Sequence, residues 1–426
     1  SPAQAVRGAD LAALTPSELK AHASLASPRG EALLDALDMP RIVAVSGPAK
    51  LDATIEGAWD APMRVHATLS GADVDGELKG SVTLAQAKRA ADVDLKVKRA
   101  DLAPLFRIAS PAAAAKDASL SSHVVLAGDT LRFSDVDARL LGTRLRGRLV
   151  LGLGDEVAVD GEFGMESLDL PQALGIALGT TGDASAPLGN GWLKGWHGRL
   201  GFQALRGVLP GGLELRPLSG VIRNDGQSLR FADMKGRIGN GEVRWGLDAR
   251  HSDLGLSLNA QVRLDHVDGT ALHYKSLALP AQRASMQMTL SGQGRTATGL
   301  IGTLGGSGSL TLDRMRIAGL DAGVVDAAIA ASDKGEIRND DQLRALVESK
   351  LSASDLTVDA AQIPFNLRDG RLSVSATTLN ADGAKVVVSG GYDVSADQVD
   401  IRASLTPVTG DKAAGNPSVE AFPTED

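Results

Sequence analysis

The chain has 426 residues and a formal net charge of −8, with no cysteine and only 3% aromatic residues. Without cysteine it has no disulfide framework, no thiolate nucleophile and no cysteine-ligated zinc site. Its basic residues are scattered, so it lacks the positive patch expected of a nucleic-acid-binding protein. No apolar run is long enough for a transmembrane helix, and the first residues do not resemble a signal peptide, so we expect either a removed leader or a fragment.

The first 41 residues carry helix signals. Thr15-Pro16-Ser17-Glu18 has the pattern of a capping box with proline at the first helical position. Ser27-Pro28 precedes a second apolar run, from Glu31 to Leu37. We predict a short helical segment over residues 1–41, made of two short helices or of one helix broken at Pro28.

From about residue 42 to residue 407, apolar residues recur at every second position, as in strands with one buried face. In the segment 92–98, Val93, Leu95 and Val97 alternate with aspartates and lysines. Because the second face is polar, we expect antiparallel hairpins and meanders, not a helix-covered parallel sheet. The sequence predicts a mostly β protein, with an elongated antiparallel β-sheet groove or solenoid of repeated strands and a few short helices.

Turn and linker residues divide this region. The turn signals are Asp75-Gly76, Asn224-Asp225-Gly226, Asn240-Gly241, Asp369-Gly370 and Asp382-Gly383. We predict a first β-repeat region over 42–178, a second over 191–294, a C-terminal β region over 295–407 and a disordered tail over 408–426.

Three segments pass from a strand into a short helix. They are Ala100–Phe106, Leu168–Gly175 and Gly319–Ile329. Such pieces would plug or rim a sheet.

The sequence contains no recognisable catalytic motif. The nearest approach to a metal site is Asp265-His266-Val267-Asp268 with His273, which we interpret as a solvated strand end. Gly305-Gly306-Ser307-Gly308-Ser309 lacks the lysine of a phosphate-binding loop, and we interpret it as a turn or bulge between two strands. We expect no enzyme activity, no catalytic residue, no metal and no cofactor.

Three tryptophans suggest a binding surface. Trp192 and Trp196 lie in the glycine-rich stretch 191–198, and Trp59 stands apart. A sugar platform and a membrane-interface role are both open for them. Core packing against a loop is the interpretation that we favour.

Two C-terminal stretches resemble the AsmA family. Residues 296–329, TATGLIGTLGGSGSLTLDRMRIAGLDAGVVDAAI, contain an apolar lead-in, a Gly-Ser-Gly-Ser-Leu strand and a Gly-apolar-Asp helix start, in that family's order. Residues 369–407 resemble the strand set that follows. The resemblance implies a periplasmic protein of outer-membrane biogenesis, tethered to the inner membrane through an N-terminal segment absent from this chain. It also implies a long β-sheet groove that carries phospholipid between membranes.

The implied partners are phospholipid or another acyl lipid and proteins of the inner and outer membrane or envelope, with no nucleic acid. A trough that is apolar inside and charged outside suits this role, because it keeps acyl chains from water. The predicted groove lining is Val93, Leu95, Val97, Leu149, Leu151, Leu254, Leu256, Leu258, Val262, Leu264, Met286, Met288, Leu290, Leu310, Leu312, Leu372, Val374, Val386 and Val388.

Two other functions fit the same alternation of residues. A structural or adhesive β-solenoid at the cell surface would fill its interior with its own side chains and bind no lipid. An enzyme on a β-helix scaffold would need convergent carboxylates in a cleft.

Overall fold

The computed structural model of the chain is mostly β, with 66% of its residues in strands and 13% in helices. The residues that it describes are 18–36, 43–58, 61–83, 90–102, 117–180, 183–189, 191–209, 212–274, 277–279, 281–318, 321, 323–351, 355–382, 384–408 and 419–421. They divide into unit 1, residues 1–209 and 216–232, and unit 2, residues 210–215 and 233–426. The predicted fold class, a mostly antiparallel β protein with a few short helices, is confirmed.

The first part of the chain is a series of long strands. In chain order these are β1 (Glu18–Ser27), β2 (Ala49–Ala58), β3 (Met63–Gly71), β4 (Val74–Thr83), β5 (Ala90–Ala100), β6 (Ala118–Ala127), β7 (Thr130–Leu140), β8 (Thr143–Leu153), β9 (Val157–Asp169), β10 (Trp196–Val208), β11 (Glu214–Leu215), β12 (Leu218–Asn224) and β13 (Ser228–Ile238). From β1 to β9 each strand pairs antiparallel with the next. The division between the units falls within β13.

The second part continues in the same way. Its strands are β14 (Gly241–Ser252), β15 (Gly255–Asp268), β16 (His273–Tyr274), β17 (Leu277–Ala278), β18 (Ala281–Gly294), β19 (Gly305–Ile317), β20 (Leu356–Val358), β21 (Ala361–Arg368), β22 (Arg371–Ala381), β23 (Ala384–Asp393), β24 (Gln398–Pro407) and β25 (Val419–Ala421). The order of antiparallel neighbours is β14, β15, β18, β19, β21, β22, β23, β24, and β20 pairs with both β19 and β22.

The helices are short. They are α1 (Gly30–Ala36), α2 (Leu170–Leu178), α3 (Ala297–Gly302), α4 (Val324–Asp333) and α5 (Asp340–Leu351), with a 3₁₀ turn at Gly269–Ala271. The helices predicted near Leu168–Gly175 and Gly319–Ile329 are confirmed as α2 and α4. Of the third predicted segment, residues 103–106 lie outside the described part of the chain.

One strand pair departs from the antiparallel expectation. β9 and β10 run parallel, with Phe163 opposite Phe202. A parallel pair needs a crossover connection, and α2 lies within it. The Asp169 side chain accepts a hydrogen bond from the Gln172 N–H at 2.9 Å, so α2 begins with a capped N-terminus directly after β9.

The predicted N-terminal helical segment is wrong over residues 18–27, which form β1. Every residue of β1 pairs with β2, from Glu18 opposite Ala58 to Ser27 opposite Ala49. These cross-strand bonds outweigh the local capping signal, whose first three residues lie outside the described part. The second helix signal is confirmed by α1.

Two further expectations are corrected. The Gly305–Ser309 stretch is not a turn between strands, since it forms the first residues of β19 and pairs with β18 and β21. The tail is not wholly disordered, since β25 pairs with β24. Residues 409–418 and 422–426 lie outside the described part of the chain.

The predicted turns are confirmed at Asn224–Gly226, at Asn240 and at Asp369-Gly370. Asn240 has φ 60° and Asp369 has φ 51°, in the left-handed region that such residues tolerate. Asp75-Gly76 is an exception, because both residues lie within β4. Gly383 of the last signal lies outside the described residues, and the predicted repeat boundaries stay predictions.

Candidate functional site

Unit 1 has one continuous apolar sheet face from β2 to β12, which we call the unit 1 face. The registers place apolar side chains and glycines of ten strands side by side on it. The central row of this face is Ile55, Val65, Gly80, Val93, Val124, Phe133, Leu149, Gly161, Leu200 and Ile222. The alternation seen within single strands is therefore kept in register across these ten strands.

The opposite side of the unit 1 sheet is charged and ion-paired. Glu162 of β9 binds Arg148 of β8 at 2.9 Å and Arg199 of β10 at 3.5 Å. On β7, Asp137 accepts hydrogen bonds from Arg144 and Arg146 of β8. The Arg144 guanidinium lowers the pKa of Asp137 to about 2. These side chains are solvent-exposed, so this side of the sheet meets water.

The lining residues predicted in unit 1 lie on the apolar face. Val93 is buried, with 5% of its surface exposed. Leu95, Val97, Leu149 and Leu151 are half-buried.

Part of the unit 1 face is covered by the protein itself. Leu33 and Leu34 of α1 and Val45 are buried in one cluster with Ala49 and Val74, the first residues of β2 and β4. Val43, Leu51 and Leu69 pack against that cluster. Gly30, at the start of α1, lies so close to Val45 that a Cβ there would overlap it. This cluster therefore fills the apolar face at one end of β2–β4.

Unit 2 has its own apolar face, here called the unit 2 face. Its central row is Trp245, Val262, Met288, Gly308, Phe365, Val374, Gly390 and Ile401. Half-buried members of the predicted lining on this face are Leu258, Val262, Leu264, Met286, Met288, Leu290, Leu310, Leu372, Val374 and Val388. Leu256, Leu312 and Val386 are fully buried.

One predicted lining residue is misplaced. Leu254 lies in the turn between β14 and β15, and 70% of its surface is exposed. β15 begins at Gly255, but the alternation of apolar residues already includes Leu254, the residue before it. The pattern alone therefore assigned a turn residue to the strand.

The unit 2 face is also partly filled from within. Leu312 and Val386 belong to a buried cluster with Met315, Leu356 and Val358, the last two from β20. Leu310, Val374 and Val388 pack against this cluster. These five predicted lining residues contact the protein's own core. Val262, Leu264, Met286 and Met288 lie outside it and are only half-buried.

The residues of the Asp265–Asp268 motif take part in hydrogen bonds that join neighbouring strands and turns. In the described residues, no group of three histidine, aspartate or glutamate side chains is arranged to hold a metal ion. Asp268 instead accepts a hydrogen bond from the Asn240 Nδ2 at 2.6 Å, which ties the end of β15 to the turn before β14. The His266 N–H donates to the Ser285 Oγ at 3.0 Å.

The tryptophan stretch forms a packed loop. Trp196 Nε1 and Asn224 Nδ2 both donate to the Trp192 carbonyl oxygen at 2.9 Å. Leu193, between the two tryptophans, is fully buried. Trp192 and Trp196 themselves are half-buried, so the choice between core packing and a surface role stays a prediction, and Trp59 lies outside the described residues.

The sequence reasoning missed the aromatic members of the two faces. Phe133 and Phe163 lie on the unit 1 face, and Trp245 and Phe365 lie on the unit 2 face. Each occupies an apolar position of an alternating strand, and this signal would have identified them. Their rings widen the apolar surface where glycines interrupt it.

Within the part of the chain that the structure describes, no helix combines the length and the apolar character needed to span a membrane. No protein-family model, no curated protein and no solved structure matches this chain. The resemblance to the AsmA family therefore stays a prediction from the residues quoted for it.

Proposed function

We propose that this protein binds phospholipid through its apolar sheet faces and serves lipid transport in outer-membrane biogenesis, as an AsmA-like protein of the periplasm. The observation that carries the proposal is the in-register apolar row across ten strands of unit 1. The side chains around Leu95 and Leu149 on that face are half-buried. Because these side chains stay half-exposed, an acyl chain can contact them.

The charged side of the unit 1 sheet supports this proposal. The ion-paired side chains Arg148, Glu162 and Arg199 are exposed on one side of the sheet. If the apolar side were exposed to water as well, the free energy of the folded protein would rise. Leaving apolar surface in water costs roughly 25 cal/mol per Å². An acyl chain on the apolar face would remove both its own surface and that of the protein from water.

The chemistry of the lining suits movement of a lipid as well as binding. The central row of unit 1 consists of aliphatic side chains, one phenylalanine and two glycines, with no charged residue. An acyl chain gains about 0.8 kcal/mol for each CH₂ that leaves water. Because no polar group on this row would hold a chain at one place, neighbouring positions bind it about equally.

A structural or adhesive β-protein is the second candidate. The buried cluster of unit 2 favours it, because Leu312, Val386 and Leu356 there are covered by the protein's own residues. This function predicts purified protein without lipid.

The test is extraction of the purified full chain with organic solvent, followed by mass spectrometry. We expect co-purifying phospholipid, and two variants of β8 serve as a matched pair. Leu149→Asp puts a carboxylate on the unit 1 face, while Val150→Asp puts one on the charged side, beside Arg132 and Asp160. Leu149→Asp should lose most of the lipid and Val150→Asp should keep it. Wild-type protein free of lipid would overturn the proposal in favour of the second candidate.

A further inference from the structure

The outer edge of β1 is an exposed strand edge. β1 pairs with β2 along its full length on one side. Among the described strands, none other than β2 is paired with it. Eight of its ten residues are exposed, and Leu25 exposes 44% of its surface. Such an edge presents free N–H and C=O groups that can bind another strand.

The sequence of β1 is close to a palindrome. Leu19-Lys20-Ala21-His22-Ala23-Ser24-Leu25 reads similarly in both directions from His22. In an antiparallel pair of two such strands centred on His22, Leu19 faces Leu25 and Ala21 faces Ala23. A strand that is its own complement fits a second copy of itself across a two-fold axis.

Charge and packing select this register over its neighbours. Of the neighbouring registers that keep the apolar side aligned, one places Lys20 opposite Lys20 and another places Leu19 opposite Ala23, which loses the Leu19–Leu25 pairs. A third places Leu19 opposite Ser27. In the centred register His22 faces His22 on the two-fold axis and Lys20 faces the neutral Ser24. Lys20 there keeps its ion pair with Glu56 at 2.6 Å. Like charges directly opposite each other destabilise a strand pair.

We propose that a second copy of this chain pairs with β1 edge to edge, antiparallel and centred on His22. Leu19, Ala21, Ala23 and Leu25 pair with Gly57, Ile55, Ala53 and Leu51, so they lie on the side of the unit 1 face. The dimer therefore joins the unit 1 faces of two copies into one apolar surface. This inference goes beyond lipid binding and does not depend on it.

Because the chain has no cysteine, disulfide cross-linking between introduced cysteines can test the register. His22→Cys places two thiols opposite each other on the two-fold axis, so oxidation should give a covalent dimer on a non-reducing gel. Ser24→Cys alone should run as a monomer on the same gel, because in the proposed dimer its opposite residue is Lys20 and not a second cysteine. A mixture of Lys20→Cys and Ser24→Cys should again cross-link. Equal cross-linking of His22→Cys and Ser24→Cys would overturn the proposed register.

Sedimentation velocity tests the dimer itself. A single strand pair buries less surface than most stable interfaces, so we expect a weak dimer that forms at high protein concentration. Leu25→Lys should make it monomeric. Leu205→Lys changes another exposed leucine, in β10, and should leave the dimer intact. Wild-type protein that stays monomeric at all concentrations would overturn the proposal.

Discussion

The ring of Phe365 lies over Gly308, its cross-strand partner on the unit 2 face. A Cβ placed on Gly308 would lie 2.8 Å from the Phe365 Cε2 and 2.5 Å from the Gln287 carbonyl oxygen. The phenylalanine thus covers backbone that the glycine leaves bare. Gly147 and Phe163 repeat the relationship in unit 1, where the same pairing joins β8 and β9.

Gly308→Ala should destabilise unit 2. The added methyl group meets both the Phe365 ring and the backbone of β18, and the backbone cannot move without straining the ladder. Overpacking of this kind costs about 1–3 kcal/mol, which urea unfolding would measure. Gly302→Ala is the control, because its new Cβ meets no atom within 4 Å beyond its chain neighbours and its own helix backbone, and alanine favours the helix. Equal stability of the two variants would contradict the close packing of Phe365.

Two adjacent residues of β15 test lipid binding in unit 2. Val262→Asp puts a charge between Trp245 and Met288 on the unit 2 face, and we expect less bound phospholipid by mass spectrometry. Gln261→Asp introduces the same charge on the exposed opposite side and should leave lipid unchanged. Circular dichroism of both variants checks that the sheet is intact. Equal lipid content in the two variants would count against the unit 2 face as a binding surface.

Acid should weaken the arginine–aspartate cluster on the charged side of unit 1. Arg144 lowers the pKa of Asp137 to about 2 in the folded chain, whereas an unfolded aspartate has a pKa of about 3.9. A lowered carboxyl pKa stabilises the fold above the unfolded value, and this contribution is lost as the pH falls towards 2. The urea midpoint of wild-type protein should therefore exceed that of Asp137→Asn at pH 7, and the difference should shrink by pH 2.

The double variant Asp137→Asn/Arg144→Gln serves as the control for this effect. Because both changes remove the same interaction, their effects should not add. A difference between wild type and Asp137→Asn that is constant from pH 7 to pH 2 would exclude the pairing as its cause.

His123 should contribute to stability in the opposite pH direction. A hydrogen bond from its Nδ1 to Asp94 at 3.0 Å raises the pKa of its imidazole. A raised pKa stabilises the fold at pH values below the unfolded pKa of about 6.5, and the contribution disappears as the pH rises through the folded pKa. Wild type should exceed His123→Gln in thermal midpoint at pH 5.5 by more than at pH 9. A pH-independent difference would argue against the charged pair.

Much of the fold could be read from the alternation of residues. Val93, Leu95 and Val97 share the apolar side of β5, as their spacing predicted, and the neighbouring aspartates and lysines are exposed. The alternation failed where local and non-local signals compete. Residues 18–27 carry a helix cap, yet pairing with β2 makes them a strand. The glycines of 305–308 signal a turn, yet pairing with β18 and β21 makes them part of β19.

The candidate site was predicted less completely than the fold. The side of the sheet on which Leu149 or Val262 lies follows from the two-residue period of a strand. The burial of Leu312 and Val386 in one cluster with Leu356 and Val358 does not follow from it, because the β20 residues are more than 25 residues away in the chain. No local pattern records a contact of that length.

The sequence by itself determined that the strands have one apolar and one charged side, because successive side chains of an extended backbone point in opposite directions. Only the tertiary structure decided how much of the apolar side is buried by the protein's own residues. α1 covers one end of β2–β4, and a buried cluster that includes β20 fills part of unit 2, while the surroundings of Leu149 and Val262 stay half-exposed. The physical reason is that burial depends on which distant segments of the chain come into contact. The alternation is the same whether the apolar side contacts the protein's own side chains or a bound acyl chain.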